Sequence, residues 1–364
     1  MKKKFLATIL TVSTALSLIT GCSKDSKTES SASDSQSVEN KDENAENKDA
    51  NAEESASNDD AKSSEENVTG AVPSKDLAGN DIKVPEEVTT IVSMAPSTTR
   101  LLVDLGLGDK IVACDTYSQQ YYGTELSKDI PAYDMMAPDQ EAIVALSPDI
   151  IFTTGMSYSK GEDVYSSVRD SGVCLADIPT ATSIKEIEDS IEFIGNCTGK
   201  STEAEKIVKD MSDAISEISE KAKSISDSDK KSVLYELSTP TPDYPSIYSA
   251  GKGTYIDEIF TLVGAKNVAG ESEQWPSFTE EAAIAFNPDV IITTDSYTPD
   301  VVKTLISLQG WENVNAIKNK DVYLLAMSNE INQPNQHVVS AMIEIAKDIY
   351  PDVYKDVKDP FAAK

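Results

Sequence analysis

The chain has 364 residues and a formal net charge of -30, from 62 acidic and 32 basic side chains. A chain with that balance has nothing to neutralise phosphates, so nucleic-acid binding is excluded. It carries one histidine, His337, and two arginines, Arg100 and Arg169, which argues against histidine-based catalysis and against the several-histidine sites that hold bare zinc or manganese.

In chain order, the first feature is Lys2-Lys3-Lys4, followed by an apolar stretch from Phe5 to Ile19 and then Thr20-Gly21-Cys22. A short basic-then-apolar segment closed by small residues is an export signal, too short for a spanning helix. Cysteine directly after Thr-Gly resembles the bacterial lipobox, so residues 1–21 are expected to be a lipoprotein signal peptide and Cys22 the lipidated residue. An ordinary signal peptide with an incidental cysteine is the alternative. From Ser23 to Gly70 there are fourteen acidic residues, five lysines and no aromatic. Such a segment cannot bury enough surface to offset its chain entropy, and its like charges extend it. Residues 22–70 are therefore expected to form a disordered acidic tether. No other stretch reaches the ~18–20 apolar residues of a membrane span, so the expectation is an extracytoplasmic protein anchored to the membrane by its lipid. Cys114, Cys174 and Cys197 then remain; an odd number cannot all pair, and buried thiols in strand-like runs are the default.

The remainder alternates strand and helix. Gly79-Asn80 marks a small hairpin turn within Asp76–Val84. Strands are predicted near Thr89–Val92, Ile111–Cys114, Asp149–Thr154 and Val173–Asp177, and helices at Thr98–Leu105, Glu141–Leu146 and Gly161–Asp170. Ser97 or Thr98 is the expected cap of the first helix and Gly106 its stop. Helices over Ile184–Cys197 and Thr202–Ile225 follow. Alternation then resumes with strands at Ser232–Leu237, Val290–Thr294 and Val322–Leu325, and helices at Thr254–Val263, Glu280–Ala285, Pro299–Leu308 and Asn332–Tyr350. This order predicts parallel βαβ units.

Within this stretch, residues 141–154 (EAIVALSPDIIFTT) recur as residues 281–294 (EAAIAFNPDVIITT), and Leu105-Gly106 through Ala113 is echoed more loosely by Val263-Gly264 through Ala269. The expected fold class is α/β, with two Rossmann-like lobes joined by a single long interlobe helix. The boundaries are 71–198 for the first lobe, 199–227 for the helix and 228–364 for the second lobe.

The chain resembles the cobalamin and iron-chelate (siderophore, haem) receptor class of ABC-importer substrate-binding lipoproteins. The resemblance covers the chain after Val84 and rests on residues 95–102 (APSTTRLL), Leu105-Gly106, the Glu141 segment, residues 251–258 (GKGTYIDE) and residues 275–281 (WPSFTEE). It implies two lobes facing across a cleft, and one glutamate per lobe, Glu141 and Glu281, presented to arginines of a dimeric ABC permease. Without the resemblance, each glutamate would merely favour the first turn of its own helix. The ligand contacts it implies lie in loops after the strands. Tyr117, Tyr121, Met135, Met136 and Tyr158 are expected from the first lobe, and Tyr244, Trp275 and Asn329 from the second, with Met156, Tyr248, Tyr297 and Ser328 as further candidates. Where the class often has tryptophan, residues 133–136 read Tyr-Asp-Met-Met, a departure that bears on the ligand.

Arginine-poor, aromatic- and methionine-rich loops suit a corrinoid better than an anionic iron chelate, although both stay open. Haem is the alternative, with a tyrosine or His337 as axial ligand. No resident cofactor, metal site or catalytic residue is expected. A carboxylate-dependent extracellular hydrolase is the competing reading, and it would need Glu141 and Glu281 within ~10 Å across one cleft. Nucleophile-elbow, metalloprotease and phosphate-loop motifs are all missing from the sequence.

Overall fold

The computed structural model describes residues 70–155, 158–159 and 162–362, all within one compact unit that runs from Glu65 to Lys364. The expected signal peptide, Cys22, the tether and Met156 lie outside the described residues, as does the side chain of Tyr158.

The first lobe runs β1 (Ile91–Ser93), α1 (Pro96–Asp104), β2 (Ile111–Asp115), α2 (Thr116–Tyr122), β3 (Ala132–Tyr133), α3 (Gln140–Ala145) and β4 (Ile150–Thr154). A short hairpin of β5 (Tyr158–Ser159) and β6 (Glu162–Asp163) then leads to α4 (Ser166–Asp170) and β7 (Cys174–Ile178). Its main sheet is parallel, in the order β3-β2-β1-β4-β7. The central strands are continuous apolar runs because helices cover both faces, and β1 and β7 are buried throughout.

After α5 (Ile184–Thr198) and α6 (Ser201–Ala222) come β8 (Ser232–Glu236), β9 (Ser246–Tyr248), α7 (Tyr255–Leu262), β10 (Lys266–Asn267), β11 (Ser277–Thr279), α8 (Glu280–Phe286) and β12 (Val290–Thr293). The chain ends with α9 (Val301–Ile306), α10 (Asn315–Asn319), β13 (Val322–Leu324), α11 (Ser328–Asn332), α12 (Val338–Ile349) and α13 (Pro351–Tyr354). This second sheet is also parallel, in the order β10-β8-β12-β13, with β9 and β11 forming a separate antiparallel pair.

The 22-residue α6 connects the two sheets. Its buried residues, Ala204, Met211, Ala214 and Ile218, repeat with helical spacing, and its other face carries Lys206–Asp210 and Lys209–Asp213 pairs one turn apart. It packs on α5 so closely that a side chain at Gly195 would place its Cβ 2.4 Å from the Cβ of Ala204.

The internal repeat is structural as well as sequential. Ser147 and Asn287, just before the prolines, both take left-handed backbone conformations, with φ of 50° and 46°. Asp149 then accepts from the amides and hydroxyls of Thr89 and Thr90, while Asp289 accepts from the amide and hydroxyl of Ser232. Each aspartate thus ties its turn to the start of a neighbouring strand. Exposure follows the same residue-by-residue pattern across 141–150 and 281–290.

Four local expectations need correction. α1 is capped at Ala95 without a side-chain bond rather than at Ser97 or Thr98, because Pro96 occupies its first turn. Residues 116–122, read as loop, form α2, since Asp115 accepts from the amides of Tyr117 and Ser118 and starts a helix there. The helix expected over 161–170 is only Ser166–Asp170. The final helix, expected from Asn332, begins only at Val338 as α12, because Pro334 restricts Gln333 to an extended conformation and ends the preceding short helix α11 at Asn332.

Candidate functional site

A cavity of about 420 Å³ opens between the two sheets at the carboxyl ends of their strands. That is where open α/β sheets bind ligands, and the volume falls within the ~300–1,000 Å³ typical of such sites. The first lobe supplies Pro96, Ser97, Thr98 and Leu101 from the start of α1, Tyr117 and Tyr121 from α2, and Met135 after β3. Thr153 and Thr154 close β4, Ile178 ends β7, and Pro179, Thr180 and Ala181 follow it. The second lobe supplies Leu237 after β8, Thr294, Ser296 and Tyr297 after β12, and the stretch of α11 and its exit that includes Ser328, Asn329, Asn332, Gln333 and Asn335. Ser190, Ile191 and Ile194 of α5 form part of the floor. None of the described residues lining the cavity is charged.

Aromatic rings gather on both sides of the mouth. Tyr117 and Tyr121, one helical turn apart on α2, stack with centroids 6.4 Å apart. Tyr297 reaches from the other lobe with 84% of its surface exposed. Burial raises the Tyr121 hydroxyl above the usual phenol range, and the Tyr297 hydroxyl beside it adds to the effect.

Behind this wall the lobes are pinned by polar contacts. The Tyr122 hydroxyl donates to Gln333 Oε1 at 2.6 Å, and the Arg100 guanidinium lies 5.2 Å from the Tyr122 ring centre. Asp104, at the end of α1, receives Arg100, the Gln336 side-chain amide and His337 Nε2, the last at 2.8 Å. Burial opposes ionisation of Asp104, but bonds from His337 and Arg100 outweigh it and hold the carboxyl below its usual range. His337 is thereby engaged away from the cavity, with its ring 5.8 Å from that of Phe361.

Of the residues anticipated from sequence, Tyr117, Tyr121, Met135 and Asn329 line the cavity, as do the further candidates Tyr297 and Ser328. Met136, Tyr244, Tyr248 and Trp275 are exposed and lie outside its lining. Tyr248 ends β9, opposite Ser277 of β11, and Trp275 lies two residues before β11. Glu141 and Glu281 occupy equivalent first-turn positions on α3 and α8, both exposed and neither on the cavity wall. The residue before each glutamate is committed to packing: Gln140 accepts from the Ser167 amide and Glu280 from the Trp311 indole. Sequence reasoning missed the start of α1, the threonines that end β4, Thr294 just after β12, the face of α5 and the Gln333–Asn335 turn. The one available signal was their position after apolar strand runs.

Two parallel-sheet lobes bridged by one helix, with an uncharged cavity between their strand ends, define a ligand-binding protein of the two-lobe, rigid-linker class. The chain matches the family model for periplasmic binding proteins over residues 91–327, and it belongs to that family. It is 34% identical over 281 residues to an uncharacterised ABC transporter substrate-binding lipoprotein of Bacillus subtilis, covering 77% of this chain and 86% of the relative. It is 25% identical over 268 residues to a vitamin B12-binding protein of Vibrio parahaemolyticus, covering 72% and 90%. Among solved structures, a periplasmic solute-binding protein from Staphylococcus epidermidis superposes with a TM-score of 0.61 at 26% identity, covering 73% of this chain and all of the other. The protein is a substrate-binding component of an ABC transporter, with a small-molecule ligand and a permease as its partners.

Proposed function

We propose that the chain is a non-enzymatic, lipid-anchored receptor that takes a corrinoid or an iron chelate into the interlobe cavity and hands it to a permease dimer. Residues 1–21 serve as the export signal, Cys22 carries the lipid, and 22–70 tether the binding body. Residues 71–198, 199–227 and 228–364 are then the first lobe, the linking helix and the second lobe. The observation that carries the ligand class is the wall of hydroxyls, amides and tyrosines with no fixed charge, which suits a neutral ligand with many polar edges. A vitamin B12-binding relative supports the corrinoid. A corrinoid is larger than the cavity, so part of it would rest on the exposed tyrosines of the mouth. Haem is the second reading, favoured by the three tyrosines at that mouth; His337 is not available to it while held by Asp104. Met136, Tyr158, Tyr244 and Trp275 would then act at the rim.

Glu141 and Glu281 are the permease contacts in this reading, supported by their equivalent, exposed placement on the repeated helix. Burial hardly touches Glu281, and its own amide and the Thr279 hydroxyl hold its carboxyl low, so it stays ionised for docking. The test titrates the body from Glu65 onward with cyanocobalamin, haemin and a siderophore panel, then repeats it with Glu141→Ala/Glu281→Ala. Saturable one-to-one binding is expected, unchanged in the double variant, while permease-dependent uptake is lost. Loss of affinity in the double variant would overturn the docking role.

A further inference from the structure

Behind the second-lobe wall of the cavity lies a carboxyl with no counter-charge. Glu236 is 1% exposed, its Oε2 accepts from the Thr293 hydroxyl, and its Oε1 is buried without a hydrogen-bond partner. The Thr239 hydroxyl near it is buried and unbonded as well. Leu234, two residues earlier on the same face of β8, clusters with Ile247 of β9, Ala283 of α8, and Val301 and Leu305 of α9. The ionisable groups on those elements are Tyr248, Glu280, Glu281 and Lys303. Glu280 accepts from the Trp311 indole, and the other three are exposed. On the opposite face, burial raises the phenols of Tyr235 and Tyr255 above their usual range and keeps them neutral. The charge that does act on Glu236 is Asp295, which has the same sign. An ionised carboxylate in that setting is costly, so burial pushes Glu236 up to about 7 and it keeps its proton until the solution is nearly neutral.

The same atoms hold the cavity wall together. The Thr293 hydroxyl that bonds Glu236 also accepts from the Asp295 amide at 3.1 Å, and the Glu236 carbonyl accepts from the Thr294 amide at 3.0 Å. The Asp295 carboxylate accepts in turn from the amides of Thr239, Tyr297 and Thr298 and from the Thr298 hydroxyl. It therefore ties the segment after β8 to the segment after β12, and Leu237, Thr294, Ser296 and Tyr297 of those segments line the cavity. Burial opposes ionisation of Asp295, but bonds from Thr298 and Thr239 outweigh it and hold the carboxyl at about 2, so Asp295 is already charged when Glu236 titrates.

We propose that Glu236 is a proton-operated latch on this wall: neutral, it leaves the Asp295 tie intact, and ionised, it repels Asp295 and loosens the segment that carries Tyr297 to the mouth. The role rests on the cavity being where ligand binds, and it adds that binding is tighter with the proton in place. A carboxyl raised by packing favours the packed wall when protonated, so the wall is held at acid pH and released as pH climbs through 7.

The test needs no ligand at first. The Glu236 carboxyl is followed by its ¹³C resonance, and the backbone amides of Asp295, Tyr297 and Thr298 by their ¹⁵N resonances, from about pH 5 to about pH 9. One shared midpoint near 7 is expected. A carboxyl that titrates in the ordinary glutamate range overturns the latch, and so do amides that stay still while the carboxyl titrates. Glu236→Gln removes the titrating group at nearly constant shape, so the three amides should lose their pH response; a response that persists also overturns it. Should that variant not fold, the parent titration decides alone. Affinity for cyanocobalamin should then fall by about threefold or more between about pH 6 and about pH 8, and Glu236→Gln should abolish the fall. Equal affinity at both values in the parent protein counts against the latch and spares the receptor reading. Amides that titrate together in a protein that binds neither cyanocobalamin nor haemin do the reverse.

Discussion

Glu236 ends β8 with its side chain buried, holding one hydrogen bond from Thr293 while its other oxygen is unpartnered. Burial pushes its carboxyl up to about 7 from an ordinary 4.5. A carboxyl raised on folding favours the protonated native state, so its stabilisation is complete below pH 4.5 and is lost as pH climbs through 7. The loss is on the order of 3 kcal/mol at 1.36 kcal/mol per unit. Glu236→Gln should flatten that dependence in urea unfolding measured across the window; an unaltered slope would contradict the assignment. Asp149 acts in the opposite sense. The amides and hydroxyls of Thr89 and Thr90 lower it to about 2, so its contribution holds above pH 3.8 and fades as pH falls toward 2. The three described cysteines are free and buried, and burial lifts Cys114 to about 12 and Cys174 to about 11. We expect none to react with a thiol reagent until the protein unfolds, and rapid native labelling would count against that packing.

At the scale of elements, α5 is the piece whose role the sequence hid. Its apolar face was legible as core, but Ser190, Ile191 and Ile194 also floor the cavity, while Gly195 lets α6 approach closely. Gly195→Ala would push the two helices apart, since the added carbon meets Ala204 and the Lys200 carbonyl. We expect about 1–3 kcal/mol of lost stability, as for other overpacked contacts, read by denaturant unfolding. Ligand affinity should fall with it, because the floor moves with the helix. Stability lost without any change in affinity would mean that α5 is only a support. The repeated α3–β4 and α8–β12 units were the most legible elements, because a Pro-Asp turn between an amphipathic helix and an apolar strand leaves few alternatives. α2 was not legible: its start depends on the Asp115 carboxylate capping two amides, and a Thr-Tyr-Ser-Gln run has no apolar period to announce a helix.

For the whole molecule, the informative contact is the one that joins the lobes at Asp104. It lies more than two hundred residues from Gln336 and His337, yet both bond to it. Removing Asp104 would leave the Arg100 guanidinium ion-paired with Glu125 alone, and the turn that carries Gln333 and Asn335 would keep the Tyr122–Gln333 bond but lose the Gln336 and His337 bonds to Asp104. Asp104→Ala should therefore broaden the interlobe distance distribution between spin labels placed at Glu141→Cys and Glu281→Cys, positions that are exposed and off the cavity. The buried native thiols keep that labelling specific. A distribution as narrow as in the parent protein would show that α6 alone sets the lobe arrangement.

Local pattern in the chain was enough for the fold class, the duplication and the paired glutamates. Each of those follows from short-range periodicity: apolar runs, helical spacing and a turn repeated at the same offset. Four of the eight primary ligand candidates, Tyr117, Tyr121, Met135 and Asn329, line the cavity, because the segments that follow parallel strands converge on one face. The rest of the cavity was decided by tertiary structure. Ser97, Thr154, Ile194 and Asn335 carry no local mark of function, and they meet only because two sheets and a linking helix bring distant strand ends to the same wall. Trp275 shows the converse. It has the chemistry of a ligand anchor, but the β9–β11 pair places it outside the cavity lining, which residue type alone could not disclose.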